Sequence, residues 1–148
     1  AIETCGHTSW ENLREASKYT DLFLYDLKLI DGEKHRRYTG VSNKLILENL
    51  REIAAIHSNI CVRIPLIPGI NDDEENIEKM CEFLKGTNIK RIDILPYHNT
   101  GEYKYEMLGF DYRLPGVKSP DKHKLEKAVE VIRRNNFIAS VSGVERNE

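Results

Sequence analysis

The stretch "LFLYDLKLID", residues 22–31, contains a run of large apolar residues that predicts a strand buried on both faces, as in a parallel sheet. Near its end the run is interrupted by two opposite charges, Asp26 and Lys28. Side chains two positions apart project from the same side of a strand, so both charges face the same environment. Burying an ion without a partner is costly, and binding a ligand is one reason for a chain to bear that cost.

The rest of the chain alternates strands with helices. We predict further strands in "AIE" (1–3), "ICVRIPLIPG" (60–69), "KRIDILPYH" (90–98) and residues 138–141, and helices after Ser9, after Ser42, in "NDDEENIEKMCEFLKG" (71–86) and after Ser119. Residues 97–118 are rich in Gly and Pro and are predicted to be irregular. Because Pro65 has no N–H to donate, regular strand pairing should stop near Ile64. The alternation predicts βα units in a parallel sheet, with too few strands for a closed (β/α)8 barrel, so an open α/β sheet or a partial barrel remains.

The composition fits one globular domain. With 148 residues, of which 40% are hydrophobic, the chain can bury a sizeable core. Its formal net charge of −2 and the lack of a Lys/Arg block argue against a nucleic-acid partner, and residues 35–37 are interpreted as a solvated helix face. No apolar run is long enough to span a bilayer and no signal peptide opens the sequence, so we expect no membrane partner and a cytoplasmic protein.

Three cysteines, Cys5, Cys61 and Cys81, stand at wide and irregular spacing. This pattern indicates neither a disulfide framework nor a metal site of the CxxC type, and we predict buried free thiols. The first residues, "AIETCGH", resemble the tail of a strand whose beginning is missing. We therefore expect the chain to be a fragment of a longer protein.

Polar residues occur towards the ends of three successive predicted strands. Asp26 and Lys28 belong to the first, Arg63 to the second, and Asp93 to the third, with His98 just past it. Ligands of parallel α/β sheets bind at the carboxyl ends of the strands, so these residues form a candidate site. The structural alternative is a pair of internal salt bridges, Arg63 with Asp93 and Asp26 with Lys28, and for Asp93 a structural role is the favoured interpretation. Taken alone, His98 would be read as an ordinary loop histidine.

An ordered set of motifs resembles the glycyl-radical-enzyme activating family of the radical S-adenosylmethionine (AdoMet) superfamily, in particular the enzymes that activate pyruvate formate-lyase. The motifs are "ETCG", "DLK", "TGVSN", "RIPLIPG", "NDDEEN", "ILPYHNTGEYKYEMLG" and "YRLPGVKSP", and together they cover nearly the whole chain. The resemblance implies an α/β fold in which parallel βα repeats form part of a TIM-like partial (β/α)6 barrel. It also implies that residues 1–148 are a single domain, the C-terminal half of such a barrel.

The activity implied by the resemblance is that of an oxidoreductase of the [formate-C-acetyltransferase]-activating type. In this family a [4Fe–4S] cluster passes an electron to AdoMet, and the resulting 5′-deoxyadenosyl radical removes a hydrogen atom from a glycine of a partner enzyme. The implied partners are a glycyl radical enzyme such as pyruvate formate-lyase, as protein substrate, and flavodoxin or a similar electron donor.

The resemblance also assigns roles to single residues. Asp26 and Lys28 match a segment that contacts the methionyl end of AdoMet, whose ammonium and carboxylate they complement. Arg63 and His98 match family residues that lie in the same region. Glu3, Thr4, Asp26 and the carbonyl of Leu24 match a monovalent cation site, and hard oxygen ligands suit such an ion. The family has Asp where this chain has Glu3, a side chain longer by one methylene.

The chain departs from the family in lacking its CxxxCxxC cluster motif and its Gly-Gly-Glu segment. Thiolates are the usual ligands of a [4Fe–4S] cluster, and the three cysteines lack the spacing to replace the motif. We expect both segments upstream of residue 1. The isolated chain is therefore expected to contain no catalytic residue and no iron–sulfur ligand, to hold no cofactor stably, and to be inactive. Since a truncated barrel leaves a strand edge without its neighbour, we also expect self-association.

Two other functions are compatible with the residues. Lys28 could be the Schiff-base nucleophile of an aldolase-like α/β enzyme, although a neighbouring carboxylate stabilises the charged amine, which opposes that role. Alternatively, the chain could be a non-catalytic protein-binding module. That alternative predicts that Asp26, Lys28 and Arg63 satisfy one another in a closed, solvent-free core.

Overall fold

Five parallel strands form one sheet in the computed structural model, which describes residues 1–142. The strands are β1 (Ile2–Thr4), β2 (Phe23–Asp26), β3 (Ile60–Leu66), β4 (Arg91–Pro96) and β5 (Ile138–Val141). They lie side by side in chain order, and each neighbouring pair is parallel. A doubly wound sheet reverses its strand order at a switch point, whereas a barrel wall is wound in one direction. The sequential order therefore favours the partial barrel over the open, doubly wound sheet.

Helices connect the strands and cover one face of the sheet. They are α1 (Trp10–Ser17), α2 (Gly32–Thr39), α3 (Lys44–Ile56), α4 (Glu74–Leu84), α5 (Glu102–Met107) and α6 (Lys122–Arg134), with a 3-10 turn at Asn99–Gly101. The buried side chains of α1, α3, α4 and α6 pack in one core with alternate residues of the strands. The strand residues at the centre of this core are fully enclosed: Phe23, Tyr25, Val62, Ile64, Ile92 and Ile94.

The other face of the sheet is more open. Leu24, Asp26, Arg63 and Asp93 are only partly buried and Ser140 is exposed, and we call the surface formed by these five residues the uncovered face. The prediction that "LFLYDLKLID" is buried on both faces is therefore wrong. In β2, buried and half-buried residues alternate, because the helices of the described residues pack on one side of this strand.

Two of the predicted helix starts are displaced. Ser9 caps α1 as predicted, accepting a hydrogen bond from the Asn12 N–H at 3.4 Å. By contrast, α3 begins after Asn43, although the Ser42 hydroxyl accepts from Lys44 N at 3.2 Å. The start of α6 follows Asp121, not Ser119, because the Asp121 carboxylate accepts from the Lys124 N–H at 2.8 Å.

The helix α2 contains a residue that the sequence analysis placed wrongly. Asp31 caps this helix by accepting from Lys34 N at 2.7 Å. His35 was interpreted as part of a solvated face, but it is 3% exposed and its Nδ1 lies 2.8 Å from the carbonyl of Val41. The connection after α2 folds back over the helix and covers His35, a contact that helical periodicity alone does not indicate.

Strand β3 runs through Pro65 to Leu66, so the prediction that pairing stops near Ile64 is wrong. In a parallel sheet, alternate residues direct their backbone groups to opposite neighbours. The Pro65 carbonyl accepts from the Asn71 side chain at 2.7 Å, on the side where β2 has already ended. The missing N–H of Pro65 therefore costs no ladder hydrogen bond.

The connection between β4 and α6, residues 97–121, is partly ordered by α5 and the 3-10 turn. The sequence predicts residues 97–118 to be irregular throughout. Tyr97 and Tyr112 form a hydroxyl–hydroxyl hydrogen bond that ties the connection to the end of β4. Several large apolar side chains on it are exposed: Tyr103, Tyr105, Met107, Leu108 and Phe110. Among residues 1–142, no helix combines the length and the apolar character needed to cross a membrane.

Candidate functional site

The polar residues predicted to meet at the strand ends do lie in one row. Across the sheet, Asp26 is in register with Arg63, Arg63 with Asp93, and Asp93 with Ser140. Residues in register on parallel strands project to the same face, here the uncovered face. We call the edge of the sheet at which the strands terminate the carboxyl edge, and this row lies close to it.

Arg63 connects two carboxylates in this row. Its Nε donates to Asp26 Oδ1 at 2.9 Å, and its Nη2 forms an ion pair with the same oxygen at 2.8 Å. Its Nη1 and Nη2 donate to the two carboxylate oxygens of Glu3 at 2.8 and 3.2 Å. The guanidinium holds the pKa of the Glu3 carboxyl below its ordinary value, mainly through these hydrogen bonds. The Arg63 side chain is 12% exposed, whereas that of Glu3 is 65% exposed. Arg63, which belongs to β3, therefore reaches across β2 towards β1 and holds Asp26 along the way.

Lys28 lies two residues beyond Asp26, past the end of β2. Its Nζ is 3.9 Å from Asp26 Oδ2, and the two side chains are 38% and 22% exposed. The arrangement thus presents an ammonium and a carboxylate side by side to the surroundings. It is not the closed, solvent-free cluster that a purely structural role predicts. An acceptor and a donor at this spacing complement the ammonium and carboxylate of an amino-acid end.

The structural alternative, a salt bridge between Arg63 and Asp93, does not form. Within residues 1–142 the Arg63 guanidinium is engaged by Glu3 and Asp26 on the other side. Asp93 accepts hydrogen bonds from the hydroxyls of Ser140, at 3.0 Å, and Ser142. The sequence cannot indicate this choice of partners, because the strands on both sides of β3 place a carboxylate in register with Arg63, Asp26 on β2 and Asp93 on β4.

His98 lies at the same carboxyl edge but apart from the charged cluster. It is exposed, and its Nδ1 is 2.6 Å from the hydroxyl of Thr100. No hydrogen bond within the described part of the chain joins it to Asp26, Lys28 or Arg63. Its predicted contact with AdoMet remains a prediction.

A cleft of about 820 Å³ opens beside Lys28. Its walls are the end of α2, the loop between β3 and α4, and the connection between β4 and α6. The lining includes Arg37, Tyr38, Ile67, Ile70, Tyr105, Phe110, Tyr112 and Arg113. Sequence reasoning missed these residues, and the only available signal was the aromatic density of "EYKYEMLGFDYR". The cleft is large enough for a small molecule, and apolar walls with a few charged groups are typical of ligand sites.

The predicted cation ligands have other partners in this structure. Both oxygens of Glu3 and one of Asp26 accept from Arg63, and the Thr4 hydroxyl accepts from Gly6 N at 2.9 Å. Glu3 and Leu24 are neighbours in register, as a shared site would require. The cation site remains a prediction, and it requires the Glu3 carboxylate to turn from the guanidinium to the ion.

The cysteines do not form a metal site. Across residues 1–142, no group of three or more His, Cys, Asp or Glu side chains is arranged to hold a metal ion. Cys61 and Cys81 are buried, and burial raises the pKa of both thiols, that of Cys81 to about 11. Cys5 is half-buried, so the prediction of three buried thiols is correct for two of them. These residues do not fit a [4Fe–4S] cluster, which needs several thiolates in one place.

Sequence reasoning also missed four buried asparagines: Asn43, Asn49, Asn71 and Asn76. All four donate side-chain hydrogen bonds to carbonyls of loops at the carboxyl edge. A buried amide usually has hydrogen-bond partners, so its presence signals a fixed backbone nearby. In the sequence, the only signal for Asn49 and Asn76 is a polar residue at a position where helical spacing predicts an apolar one, and Asn43 and Asn71, which lie outside the helices, have no such signal.

Sequence comparison relates this chain to a group of activating enzymes. It is 45% identical over 145 residues to the trans-4-hydroxy-L-proline dehydratase activating enzyme of Clostridioides difficile, with 97% of this chain and 48% of that protein covered. It is 38% identical over 125 residues to the pyruvate formate-lyase-activating enzyme of Staphylococcus epidermidis, with 84% and 50% covered. A scan against models of protein families gives no match. The chain spans about half the length of the curated relatives it matches.

Structural comparison agrees with the predicted fold. A domain of a pyruvate-formate lyase-activating enzyme from Bacteroides vulgatus superposes with a TM-score of 0.78 at 28% identity, over 96% of this chain and 80% of that one. A radical SAM methyltransferase from Sphaerobacter thermophilus gives a TM-score of 0.69 at 14% identity, over 95% of this chain and 39% of that one. The second likeness concerns the fold alone. Together they confirm an α/β partial barrel built from parallel βα repeats.

Proposed function

Because the chain belongs to the glycyl-radical-enzyme activating enzymes of the radical AdoMet superfamily, we propose that it forms part of the AdoMet-binding wall of such an enzyme. The observation that carries the proposal is the Asp26–Lys28 pair, a partly exposed carboxylate and ammonium held 3.9 Å apart at the carboxyl edge. This pair complements the zwitterionic methionyl end of AdoMet. The cleft beside Lys28 provides the adjoining space.

Each residue of the site has a distinct role in this proposal. The Lys28 ammonium binds the methionyl carboxylate, and the Asp26 carboxylate accepts from the methionyl ammonium. Arg63 keeps Asp26 in place through one hydrogen bond and an ion pair, and it is charged at every relevant pH. His98, which follows the end of β4, is proposed to contact AdoMet as well.

The complete enzyme requires a part that residues 1–142 do not provide. Bound AdoMet and a [4Fe–4S] cluster would supply the radical chemistry typical of the superfamily. The described residues fit AdoMet but not the cluster, since they gather no set of thiolates. We therefore propose that this chain is the C-terminal half of the barrel and that the cluster ligands belong to the other half of the relatives' length.

The partner is proposed to be a glycyl radical enzyme, from which the complete protein removes a glycine hydrogen atom. Pyruvate formate-lyase or a related enzyme fits, because the relatives' names refer to several such partners. Flavodoxin or a similar protein is the proposed electron donor. In this proposal a monovalent cation binds to Glu3, Thr4, Asp26 and the Leu24 carbonyl, next to the methionyl end.

A chimera tests this function directly. The 145 matched residues of the C. difficile activating enzyme are replaced with those of this chain, and the cluster is reconstituted anaerobically. We expect AdoMet cleavage to 5′-deoxyadenosine and a glycyl radical signal on the dehydratase by electron paramagnetic resonance. Lys28→Ala in the chimera should raise the KM for AdoMet about tenfold or more, because it removes a charged hydrogen bond.

The control variant is Lys122→Ala, whose side chain is 88% exposed on α6 and which should leave the KM unchanged. A chimera that carries the cluster but does not cleave AdoMet would contradict the proposal. So would Lys28→Ala with an unchanged KM. Trapping of a carbonyl compound on Lys28 by borohydride would favour the Schiff-base alternative instead.

A further inference from the structure

Lys28 lies in a segment that continues beyond the end of β2 and is no longer part of the sheet. β2 ends at Asp26, and the last bond that links it to β3 runs from Leu27 N to the Arg63 carbonyl at 2.9 Å. Residues 28–30 continue without regular secondary structure, yet Leu29 is 2% exposed. Backbone polar groups in such a place need partners other than a neighbouring strand.

Three asparagine side chains supply those partners. Asn71 Nδ2 donates to the Lys28 carbonyl at 2.8 Å. Asn43 Nδ2 donates to the carbonyls of Leu29, at 3.1 Å, and Ile30, at 2.8 Å. Asn76 Oδ1 accepts from the Ile30 N–H at 3.2 Å. All three carbonyls of residues 28–30 are thus bound by buried amides.

The three asparagines are themselves held in place. Asn71, which is 1% exposed, also donates to the Pro65 carbonyl at 2.7 Å and accepts from Ile67 N at 2.7 Å. Asn76 Nδ2 donates to the Asn71 carbonyl at 3.2 Å. Asn43 stands immediately before α3. The segment is therefore joined to three separate elements: the start of α3, the loop after β3, and α4.

We propose that Asn43, Asn71 and Asn76, called here the asparagine cluster, are positioning residues that set the Lys28 ammonium against Asp26 for ligand binding. This inference rests on the proposed function of Lys28 as a ligand-binding group. A lysine side chain is long and flexible, so its reach is defined only if its backbone is fixed. Asp26 is fixed by β2 and Arg63, whereas the backbone of Lys28 depends on the asparagine cluster.

Asn49, another buried asparagine that binds a loop at the carboxyl edge, provides a matched control. Asn49 is 2% exposed and donates to the carbonyls of Gly6 and Thr8, both at 2.8 Å. It holds the loop after β1 by the same type of bond, and neither of these hydrogen bonds goes to residues 28–30. Replacing Asn49 should cost stability in a similar way without releasing Lys28.

The first test measures hydrogen exchange of the Ile30 amide by NMR in this chain. Asn43→Ala and Asn76→Ala should accelerate that exchange about tenfold or more, since each leaves buried backbone groups of the segment unpaired. The amides of Ile92 and Ile94 in β4 should keep their protection, and Asn49→Ala should leave Ile30 protected. An unchanged Ile30 amide, or equal acceleration throughout the sheet, would overturn the proposal.

The second test separates positioning from stability. In the active chimera, Asn71→Asp keeps the volume and the acceptor for Ile67 N but lacks both donors. We expect the KM for AdoMet to rise about tenfold with a much smaller change in kcat, as for loss of ground-state binding. A fall in kcat at constant KM would contradict the proposed role. If the chimera without substitutions is inactive, the proposed function fails, while the exchange experiment still decides whether the asparagines hold the segment.

Discussion

At the residue scale, Arg63 is the side chain on which the charged cluster depends. It neutralises Asp26 and Glu3 at once, so its loss leaves two carboxylates close together on the uncovered face. We expect Arg63→Met to lower the free energy of unfolding by about 1 to 2 kcal/mol at pH 7. Arg91 lies on β4 on the same face of the sheet as Arg63, but it is exposed. Arg91→Met should therefore change the free energy of unfolding much less.

The stability lost in Arg63→Met should depend on pH in a definite direction. The pKa of Glu3 is lowered in the folded protein from its ordinary value of 4.5. The Glu3–Arg63 pair therefore stabilises the protein above that value, and the stabilisation is lost as the pH falls through the lowered pKa. The difference between wild type and Arg63→Met in urea unfolding should shrink as the pH falls below 4.5. A difference that grows in acid would contradict this role of the pair.

Gly6 illustrates a position that tolerates no side chain. Its φ is +69°, and a Cβ there would lie 1.7 Å from the hydroxyl oxygen of Tyr25, which donates to the Ile46 carbonyl at 2.7 Å. Gly6→Ala should destabilise the fold by about 2 kcal/mol or more, from strain and the clash. Gly40→Ala, with φ +85° and open space around it, should cost only about 1 kcal/mol. Urea denaturation of both variants checks the difference, and equal losses would show that the contact with Tyr25 is unimportant.

The three thiols should differ in reactivity. Burial raises the pKa of Cys61 and of Cys81, which disfavours the reactive thiolate, whereas Cys5 is half-buried. Titration of the native protein with a thiol reagent should show one faster phase and two slow ones. Cys5→Ser should abolish the faster phase. Two fast phases in native protein would contradict the observed burial.

At the element scale, the connection between β4 and α6 depends on a small number of contacts. The hydroxyls of Tyr97 and Tyr112 form a hydrogen bond, and the rings of Tyr105 and Tyr112 meet edge to face at 5.3 Å. Tyr112→Phe keeps the ring contact and removes the hydrogen bond. We expect faster tryptic cleavage after Lys104 and Arg113, with an unchanged urea midpoint for the core.

A control for this experiment is Tyr103→Phe. Tyr103 lies on α5 in the same connection and is 65% exposed, so removing its hydroxyl should leave tryptic cleavage unchanged. Equal cleavage of Tyr112→Phe and wild type would show that packing alone holds the connection. Because this connection forms one wall of the cleft, its order bears on ligand access.

At the scale of the whole molecule, the helices described within residues 1–142 cover one face of the sheet and leave the other open. Parallel sheets are normally covered on both faces, and in a barrel the second face is the interior. Within residues 1–142, β1 and β5 each have one neighbouring strand. We expect concentration-dependent self-association of the isolated chain, visible in sedimentation velocity, because an open strand edge invites pairing.

The edge involved can be identified by a single substitution. The Ile138 N–H donates to the carbonyl of Lys90, the residue before β4. Since alternate residues of a strand direct their N–H groups to opposite sides, the N–H of Ala139 points away from β4. Ala139→Pro removes that donor without breaking a bond to β4. Reduced association would assign the contact to β5, and unchanged association to another surface. A monomer at every concentration would contradict the expectation of self-association.

Much of this arrangement could be predicted from local sequence. Apolar runs and turn residues place the five strands and most of the helices. The alternation of strands with helices predicts parallel pairing of the strands. The polar groups of Asp26, Arg63 and Asp93 were predicted at one edge because strand periodicity and parallel direction together determine where they project. The motif order led to the family that the comparisons confirm.

The partners of each polar group were decided only by the tertiary structure. Arg63 could reach a carboxylate on either side, and the position of β1 directs it to Glu3 and Asp26 and leaves Asp93 to two serines. The asparagine cluster joins residues up to 46 positions apart in the chain, which no short-range pattern encodes. The sequence by itself determined the five strands, most of the helices and the edge that carries the charges, because these follow from local periodicity. The tertiary structure determined which charges pair and how Lys28 is held, because hydrogen bonds between distant residues depend on the packing of whole elements.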